Sequence, residues 1–252
     1  MITIICATYN AASTLNDFFS SIRKQTCKDF ELIIIDGASI DNTKQLIEKN
    51  KDIISNYISE PDKGIYDAWN KGIKMASHDW ICFVGADDIM LPDFVKIYSH
   101  TIENNKDQDL DYITSKVNYI DSDGRTILTL GKEWKWSEFR WRMTTAHVGS
   151  LHHKNLFREV GNYNTDYKIV GDYELLLRKK ENLSTKYIDQ FTINMRAGGI
   201  SISVAALKER YKAQRKTADL NILETSLLFL YGIFSLIKLE SKIKGGRSTM
   251  DV

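Results

Sequence analysis

The chain has 252 residues, with a hydrophobic content of 43% and a charged content of 27%, proportions typical of a soluble globular protein. This length allows one large domain, or one domain with a small appendage. The formal net charge of +1 gives no sign of nucleic-acid binding, and three scattered cysteines without zinc-like spacing indicate a reducing compartment.

Strands and helices alternate through the first third of the chain. The predicted strands are 2–7, 31–35, 53–59 and 80–84. Ser13 or Thr14 can cap the first helix and Asp41 the second. The third helix carries an apolar stripe made of Ile65, Ala68, Trp69, Gly72, Ile73 and Ala76. This alternation predicts a mostly parallel sheet with right-handed crossovers and flanking helices, an α/β fold.

The pattern changes after Pro92. The predicted elements are a helix over 91–102, a β-hairpin of 112–120 and 125–130, short helices over 154–159 and 172–180, a strand over 187–196, and helix from 205 onward. The segment 134–143 is dense in aromatic residues, which ordinary core or interface packing explains better than sugar stacking.

Carboxylates follow two predicted strands at the point where each strand ends. Asp36 follows the second strand, and Asp87 and Asp88 follow the fourth. Open α/β sheets bind ligands at this edge. Adjacent carboxylates fit a divalent cation, but Asp87 and Asp88 fit a helix cap equally well. Asp36 fits a base or ribose contact, or a local Asx turn. No G-x-G-x-x-G fingerprint or P-loop is present in the first half, so a dinucleotide-binding enzyme or NTPase is disfavoured.

Several motifs in the same order resemble the family 2 glycosyltransferases of A-type fold. The motifs are Thr8-Tyr9-Asn10, Asp36-Gly37-Ala38-Ser39-Ile40-Asp41, the block EPDKGIYDAWNKG at 60–72, Gly85-Ala86-Asp87-Asp88, Ala146-His147, Gly161-Asn162-Tyr163-Asn164, Gly171-Asp172-Tyr173-Glu174 and Gly198-Gly199-Ile200-Ser201. The block at 60–72 is the most diagnostic, being similar to bacterial enzymes that build capsule, exopolysaccharide or O-antigen units.

The resemblance covers roughly residues 1 to 205 and implies the A-type nucleotide-diphospho-sugar transferase fold. It implies a catalytic domain over 1–204, with a nucleotide-binding half over 1–92 and an acceptor half over 93–204. Residues 205–252 form a helical basic and apolar C-terminal tail outside the firm resemblance.

The resemblance assigns nucleotide-sugar contacts to residues of the first half. It implies that Thr8, Tyr9 and Asp36 hold the base and ribose, with Asn10 and Ser39 in the same group. Lys63 and Gly64 would lie near the nucleotide, with Asp67 and Asn70 shaping the pocket. Asp87 would bind Mg²⁺ or Mn²⁺ bridging the diphosphate, with Asp88 beside it.

In the second half the resemblance makes Asp172 the general base and places His147 and Glu174 on the acceptor side. From the residues alone, Asp172 fits a helix N-cap better. Two departures from the family stand out. Gly85 replaces an Asp that is often found there, which removes one ligand of an Asp-x-Asp motif, and Gly171 replaces the usual Glu before the base.

The predicted activity is inverting transfer of a sugar from a nucleotide-diphosphate sugar, with uracil as the family's usual base, to an oligosaccharide or lipid-linked acceptor. One base and one direct displacement imply inversion. A second hypothesis is a catalytically idle nucleotide-sugar-binding partner in a polysaccharide assembly complex. A nucleotidyltransferase is disfavoured, because no glycine-rich basic loop lies near the first strand.

The C-terminal tail predicts contact with a membrane surface. From residue 205 onward there are nine Lys or Arg against five Asp or Glu, and they flank an apolar run over 227–239. That run is shorter than the roughly 20 residues that span a bilayer, and no basic n-region precedes the first strand. We expect a cytoplasmic protein, peripheral on the cytoplasmic face of the inner membrane. Packing on the domain, or in a homodimer, is the alternative.

Overall fold

The first third of the chain alternates strands and helices as predicted. The computed structural model describes residues 1–199 and 203–247, with side chains as far as Ile237. Its first elements are β1 (Ile2–Thr8), α1 (Leu15–Arg23), β2 (Phe30–Asp36), α2 (Thr43–Lys49), β3 (Asn56–Ser59), α3 (Ile65–Met75) and β4 (Trp80–Gly85). The four strands pair in parallel in the order β3-β2-β1-β4, so their carboxyl ends meet at one edge.

The remaining elements form the second half of the sheet and its helical cover. They are β5 (Ile89–Met90), α4 (Phe94–Asn104), β6 (Tyr112–Ile120), β7 (Thr126–Leu130), α5 (Trp136–Phe139), β8 (Leu151–His153), α6 (Lys154–Val160), α7 (Gly171–Leu177), β9 (Thr185–Arg196), α8 (Val204–Lys216) and α9 (Ile222–Arg247). The predicted hairpin is present as β6 and β7, joined around Gly124.

The predicted α/β fold is confirmed, and its parallel pairing is concentrated in the first half. The sheet continues from β4 through β8, β6 and β9 to β5, with β7 beside β6. In this half β6 and β9 are parallel, while β4 with β8, β8 with β6, and β9 with β5 are antiparallel. The sequence analysis missed β5 and β8, because segments of two and three residues are too short to carry a period-2 pattern.

Side-chain alternation along the strands divides the core between the two sheet faces. On β1, Ile2, Ile4 and Cys6 join one cluster with the apolar face of α1, while Ile5 joins the other with Ala68, Trp69 and Ile73 of α3. Two local predictions were wrong. Thr14 stands at the N-cap of α1 without a side-chain cap bond, and Ile65 is exposed while its neighbour Tyr66 is buried.

The two C-terminal helices differ in how they contact the rest of the fold. Helix α8 begins at the predicted boundary and buries Ala213 in the second core cluster, together with Ala218 and Leu220 of the following turn. Helix α9 leaves large apolar side chains exposed on its outer surface: Leu223, Leu227, Leu230, Tyr231, Phe234 and Ile237. Within the described ranges, no helix combines the length and apolar character that crossing a membrane requires.

Candidate active site

Strand register aligns several of the predicted site residues along one edge of the sheet. Thr8 pairs with Asp36, and Asp36 pairs with Ser59, so the last residues of β1, β2 and β3 form a row. On the other side of β1, Ala7 pairs with Gly85 at the end of β4. The carboxyl-end edge that the sequence predicts for ligand binding therefore exists.

Asp36 is the centre of a buried hydrogen-bond network. Its carboxylate accepts from the hydroxyls of Thr8 at 3.0 Å, Ser39 at 2.5 Å and Ser59 at 2.6 Å, and from the Ser39 N–H at 3.0 Å. These four donors fill the about four acceptor positions of a carboxylate. Asp36 thus fixes Thr8 and Ser39. A direct contact between Asp36 and a nucleotide stays a prediction, and it would require the nucleotide to replace one of these hydrogen-bond donors.

The loop after β1 is tied to the loop after β2. The Asn10 N–H donates to Ser39 Oγ at 2.8 Å, and Asn10 Oδ1 accepts from the Ile40 N–H at 3.0 Å. Asn10 has a φ of 49°, a left-handed conformation that asparagine tolerates better than most residues. Asn10 and Ser39 therefore hold the two loops together, which leaves the adjacent Tyr9 ring 67% exposed.

A cleft of about 620 Å³ opens beside this edge. Its lining includes predicted residues Thr8, Tyr9 and Gly64. It also includes residues to which the sequence analysis gave no role in ligand binding, namely Ala7, Gly37, Pro61, Asp62, Ile65 and Ala68. The volume is in the range of small-molecule and cofactor sites, and the exposed Tyr9 ring offers a flat surface for stacking.

The block at 60–72 shapes one side of the cleft through its turn into α3. Gly64 has a φ of 116°, which favours glycine, and its N–H donates to Asp62 Oδ1 at 2.8 Å. Asp67 accepts from the Lys63 N–H at 3.0 Å, in the manner of a capping carboxylate. The Lys63 side chain is exposed. Asp67 thus supports the turn rather than lining the cleft.

Asn70, which was also predicted to shape the pocket, instead connects α3 to a distant loop. Its side-chain amide donates to the Tyr163 carbonyl at 2.8 Å and accepts from the Tyr163 N–H at 3.0 Å. This two-bond contact fixes the loop around Gly161-Asn162-Tyr163-Asn164 against the helix. The contact thus joins the block at 60–72 to the motif at 161–164.

Asp87 and Asp88 have opposite surroundings at the end of β4. Asp87 is exposed, whereas Asp88 is 4% exposed and accepts from the Gly85 N–H at 3.0 Å. Burial, followed by the neighbouring charge of Asp87, raises the pKa of Asp88 to about 8. The geometry favours Asp87 as the residue that meets a ligand and Asp88 as part of the corner that supports it.

A divalent cation fits this corner if substrate oxygens complete its coordination shell. Within the described part of the chain, no three His, Cys, Asp or Glu side chains converge into a protein-only metal cluster. Mg²⁺ usually retains waters and takes one or two carboxylates together with substrate phosphates. The exposed Asp87 carboxylate meets this requirement, so the residues present fit a cation shared with a nucleotide diphosphate.

Gly85 lies directly against both carboxylates. A Cβ on Gly85 would lie 2.7 Å from Asp87 Oδ1 and 2.9 Å from Asp88 Oδ2, closer than real contacts allow. Both carboxylates fold over the space that a side chain would fill. A side chain at position 85 would therefore require both carboxylates to move from these positions.

Replacing Gly85 with Asp, the residue that the family often has there, should lower transfer activity instead of improving metal binding. The new side chain would displace both carboxylates, including Asp87, from the positions that they hold. Manganese titrations of activity compare the wild type with Gly85→Asp and Gly85→Ala, since the Ala variant adds the Cβ alone. A Gly85→Asp variant that needs less Mn²⁺ than the wild type would refute this explanation.

Asp172 lies in the first turn of α7, where Tyr66 of α3 meets it. The Tyr66 hydroxyl donates to Asp172 Oδ1 at 3.1 Å and to the Ile169 carbonyl at 2.8 Å. Burial raises the pKa of Asp172 to about 6, against the lowering effect of hydrogen bonds, including that from Tyr66. A carboxylate with a pKa near the working pH suits a general base. The sequence analysis gave Tyr66 no role, although it stands in the most diagnostic block.

Gly171 provides the space for this contact. A Cβ on Gly171 would lie 2.8 to 2.9 Å from three carbons of the Tyr66 ring. A Glu at this position, usual in the family, would displace the ring that donates to Asp172. The second departure is thus also explained by a neighbouring side chain.

His147 and Glu174 lie inside the protein. His147 is 6% exposed, stacks on Trp69 with ring centroids 4.8 Å apart and shares a hydrogen bond with Tyr163 Oη at 2.9 Å. Burial lowers the pKa of His147 to about 3, so the ring is neutral. Glu174 is 5% exposed and pairs with Arg178 and Thr217. This burial gives both residues structural roles and argues against the predicted acceptor-side contacts. Ile200 and Ser201 of the last motif lie outside the described residues.

Comparisons with known proteins identify relatives of this chain. A family model described as "Glycosyl transferase family 2" matches residues 3–161. The chain is 28% identical over 197 residues to the PGL/p-HBAD biosynthesis glycosyltransferase of Mycobacterium tuberculosis, covering 75% of this chain and 73% of that protein. It is 26% identical over 220 residues to the chondroitin synthase of Pasteurella multocida, covering 84% of this chain and 22% of that protein.

Solved structures share the fold at low sequence identity. TarS 1–349 of S. aureus in complex with UDP-GlcNAc matches with a TM-score of 0.67 and 17% identity, covering 93% of this chain and 72% of that one. The mannosyltransferase PcManGT of Pyrobaculum calidifontis, in complex with GDP-Man and Mn²⁺, matches with a TM-score of 0.64 and 12% identity, covering 98% and 75%. Because the family model spans more than half of the chain, this protein belongs to glycosyl transferase family 2 and has the A-type fold.

Proposed function

We propose that the chain is an inverting, metal-dependent hexosyl- or hexosaminyltransferase that uses a nucleotide-diphosphate sugar. The observation that carries the proposal is the pair of carboxylates in different surroundings: Asp87 exposed at the end of β4, and Asp172 half-buried with a pKa of about 6. In such a pair, one carboxylate can bind a metal ion while the other removes a proton. Neighbours of the same fold that hold UDP-GlcNAc or GDP-Man support a nucleotide-sugar donor.

The mechanism assigns one step to each of the two carboxylates. Asp172 removes the proton of an acceptor hydroxyl, whose oxygen attacks the anomeric carbon as the bond from that carbon to the diphosphate oxygen breaks. A single displacement inverts the anomeric configuration. Asp87 would hold Mg²⁺ or Mn²⁺, which when bound neutralises the charge that develops on the leaving diphosphate. Tyr9 and Thr8 line the cleft in which we place the base and ribose, with uridine as the favoured nucleoside.

A donor screen tests the proposal. The purified chain is incubated with Mn²⁺, a panel of UDP- and GDP-sugars and membranes that carry lipid-linked oligosaccharides, and products are read by mass spectrometry. Transfer from one donor with inverted configuration supports the proposal. Nucleotide-sugar binding by calorimetry without transfer or donor hydrolysis would instead indicate a catalytically idle binding partner.

Tyr66→Phe should move the acidic limb of the pH–rate profile to higher pH. The wild-type limb is expected near pH 6, because Asp172 must be ionised to accept the proton. Removing the Tyr66 hydroxyl takes away a hydrogen bond to the charged form, so the pKa of Asp172 rises further. The pH dependence of kcat/KM measures the shift, with Tyr163→Phe as control since its hydroxyl bonds to His147. If the acidic limb of the pH–rate profile is unchanged in Tyr66→Phe, Asp172 is not the base that titrates.

We further propose that the protein acts on the cytoplasmic face of the inner membrane, in surface polysaccharide biosynthesis on a lipid-linked acceptor. The exposed apolar side chains of α9 and the basic excess from residue 205 onward support contact with an anionic bilayer. We expect the chain to float with anionic liposomes and a Leu230→Glu variant to float less. Equal flotation of both, or a dimer by gel filtration that this substitution disrupts, would favour the alternative that α9 contacts a second copy.

A further inference from the structure

We propose that Glu209, on helix α8, is a positioning residue for the Asp172 base. The inference rests on the proposed function, because it concerns how that base is held. Glu209 lies beyond the region 3–161 that the family model matches and carries no role in the resemblance. It is separated from Asp172 by 37 positions in the sequence.

Three successive backbone N–H groups converge on the Glu209 carboxylate. The N–H of Lys168 donates at 2.9 Å, that of Ile169 at 2.9 Å and that of Val170 at 3.1 Å. Val170 is the N-cap residue of α7, and its side chain provides no cap bond. Hydrogen bonds to a charged acceptor are roughly twice as strong as neutral ones. Glu209 thus supplies from α8 the acceptor for the three N–H groups that lead into α7.

The other side of the same segment faces α3 and the nucleotide-side turn. Tyr66 donates both to the Ile169 carbonyl and to Asp172, so one hydroxyl connects the segment and the base. The Lys168 ammonium donates to the Lys63 carbonyl at 2.7 Å. The segment 168–170 is therefore held between α8 on one side and the block at 60–72 on the other. A shift of α8 would move Asp172 relative to the cleft.

Glu209 also contributes charge near the base. The titratable groups near enough to Asp172 to interact with its charge are Tyr66 from α3, Tyr112 from β6, Tyr163 from the preceding loop and Glu209 from α8. The pKa values of these tyrosines are raised by burial, so they are neutral at working pH. Burial is the main cause of the raised pKa of Asp172, and the negative charge of Glu209 adds to it. Removing that charge should lower the pKa of Asp172.

The test compares Glu209→Gln and Glu209→Ala with Glu224→Gln, a matched control. Glu224 is a half-buried acid on α9 that pairs with Arg140 and has no bond to the segment 168–170. We expect Glu209→Ala to lower kcat by up to about 10²-fold, the effect of a small misplacement of a catalytic group, with donor affinity by calorimetry unchanged. Glu209→Gln keeps an acceptor oxygen, so it should lose less activity and move the acidic limb to lower pH.

Hydrogen exchange provides a readout that needs no activity. Peptides covering 168–173 should exchange faster in Glu209→Ala and at the wild-type rate in Glu224→Gln. Faster exchange with a wild-type kcat and pH profile would overturn the positioning role while leaving the proposed function intact. An equal loss of kcat in Glu224→Gln would also overturn the positioning role, because the loss in the Glu209 variants would then be explained by general destabilisation. A wild type that binds donors but never transfers would refute the proposed function itself, together with any role in catalysis for Glu209.

Discussion

Asp172→Asn is expected to lower kcat by about 10²–10⁴-fold, the range that a positioned general base contributes. Asn keeps the shape of the side chain and an oxygen that accepts from Tyr66, so the geometry around α7 should persist. Donor affinity should stay within a small factor of wild type, because Asp172 acts on the acceptor hydroxyl. Steady-state transfer kinetics and calorimetry with the donor measure the two effects separately.

The same substitution should stabilise the protein at neutral pH. The pKa of Asp172 is about 6 in the folded state and near 3.8 without the fold, so ionisation at pH 7 opposes folding by up to about 3 kcal/mol. Because the pKa of Asp172 is higher in the folded state, the protonated carboxyl stabilises the fold relative to the ionised form. This stabilisation is fully present below the pKa of the unfolded state and is lost as the pH rises through about 6. The gain in Tm for Asp172→Asn should therefore be full at pH 7.5 and vanish near pH 4. Wild-type activity in this variant, or a fall in its Tm at pH 7.5, would contradict the assignment.

Asp87→Asn is expected to lower transfer by roughly three orders of magnitude. The cation that Asp87 would hold supplies several kcal/mol of charge stabilisation, and each 1.4 kcal/mol is about a factor of ten in rate. The substitution should leave folding unchanged, because Asp87 is exposed. Activity measured against Mn²⁺ concentration, and after removal of metal with EDTA, provides the comparison.

A matched control is Asp123→Asn, an exposed acid in the turn between β6 and β7. This variant should keep wild-type activity and the same Mn²⁺ dependence. EDTA should reduce the wild type to the level of Asp87→Asn and have little further effect on that variant. If EDTA leaves wild-type transfer intact, or if Asp87→Asn retains full activity, the metal assignment at the end of β4 is wrong.

The strand ends around the site could be predicted from the sequence, because each strand is recognised from residues that are adjacent in the chain. The strands that end in Thr8, Asp36 and Gly85 are recognised from their short runs of apolar residues. A parallel sheet then brings these strand ends to one edge. Motif order added Asp172, which no periodicity distinguishes from a helix cap. The α/β sheet followed from the alternation of strands and helices, whereas the A-type fold was implied by the family resemblance and is confirmed by the comparisons.

What could not be predicted are the contacts between residues far apart in the chain. In the sequence Asp36 appears as an unpaired acceptor, whereas in the structure its oxygens accept hydrogen bonds from Ser39 and Ser59. In the sequence Asp88 cannot be distinguished from Asp87, whereas in the structure its carboxylate is buried and accepts from the Gly85 N–H. The resemblance placed Glu174 on the acceptor side, yet the Thr217 hydroxyl, 43 positions away, donates to one of its oxygens. A motif in one sequence therefore does not decide whether a residue contacts the substrate or supports the fold, and the tertiary contacts do.

The bond between the Lys168 ammonium and the Lys63 carbonyl joins the wall of the cleft to the segment that precedes the base. Lys63 precedes Gly64, which lines the cleft, and Lys168 opens the segment 168–170, which leads into α7. The Tyr66 hydroxyl makes a second connection, because it bonds both the Ile169 carbonyl and Asp172. The cleft wall and the base therefore belong to one hydrogen-bonded unit, so a substitution that moves the turn at Gly64 should also move Asp172.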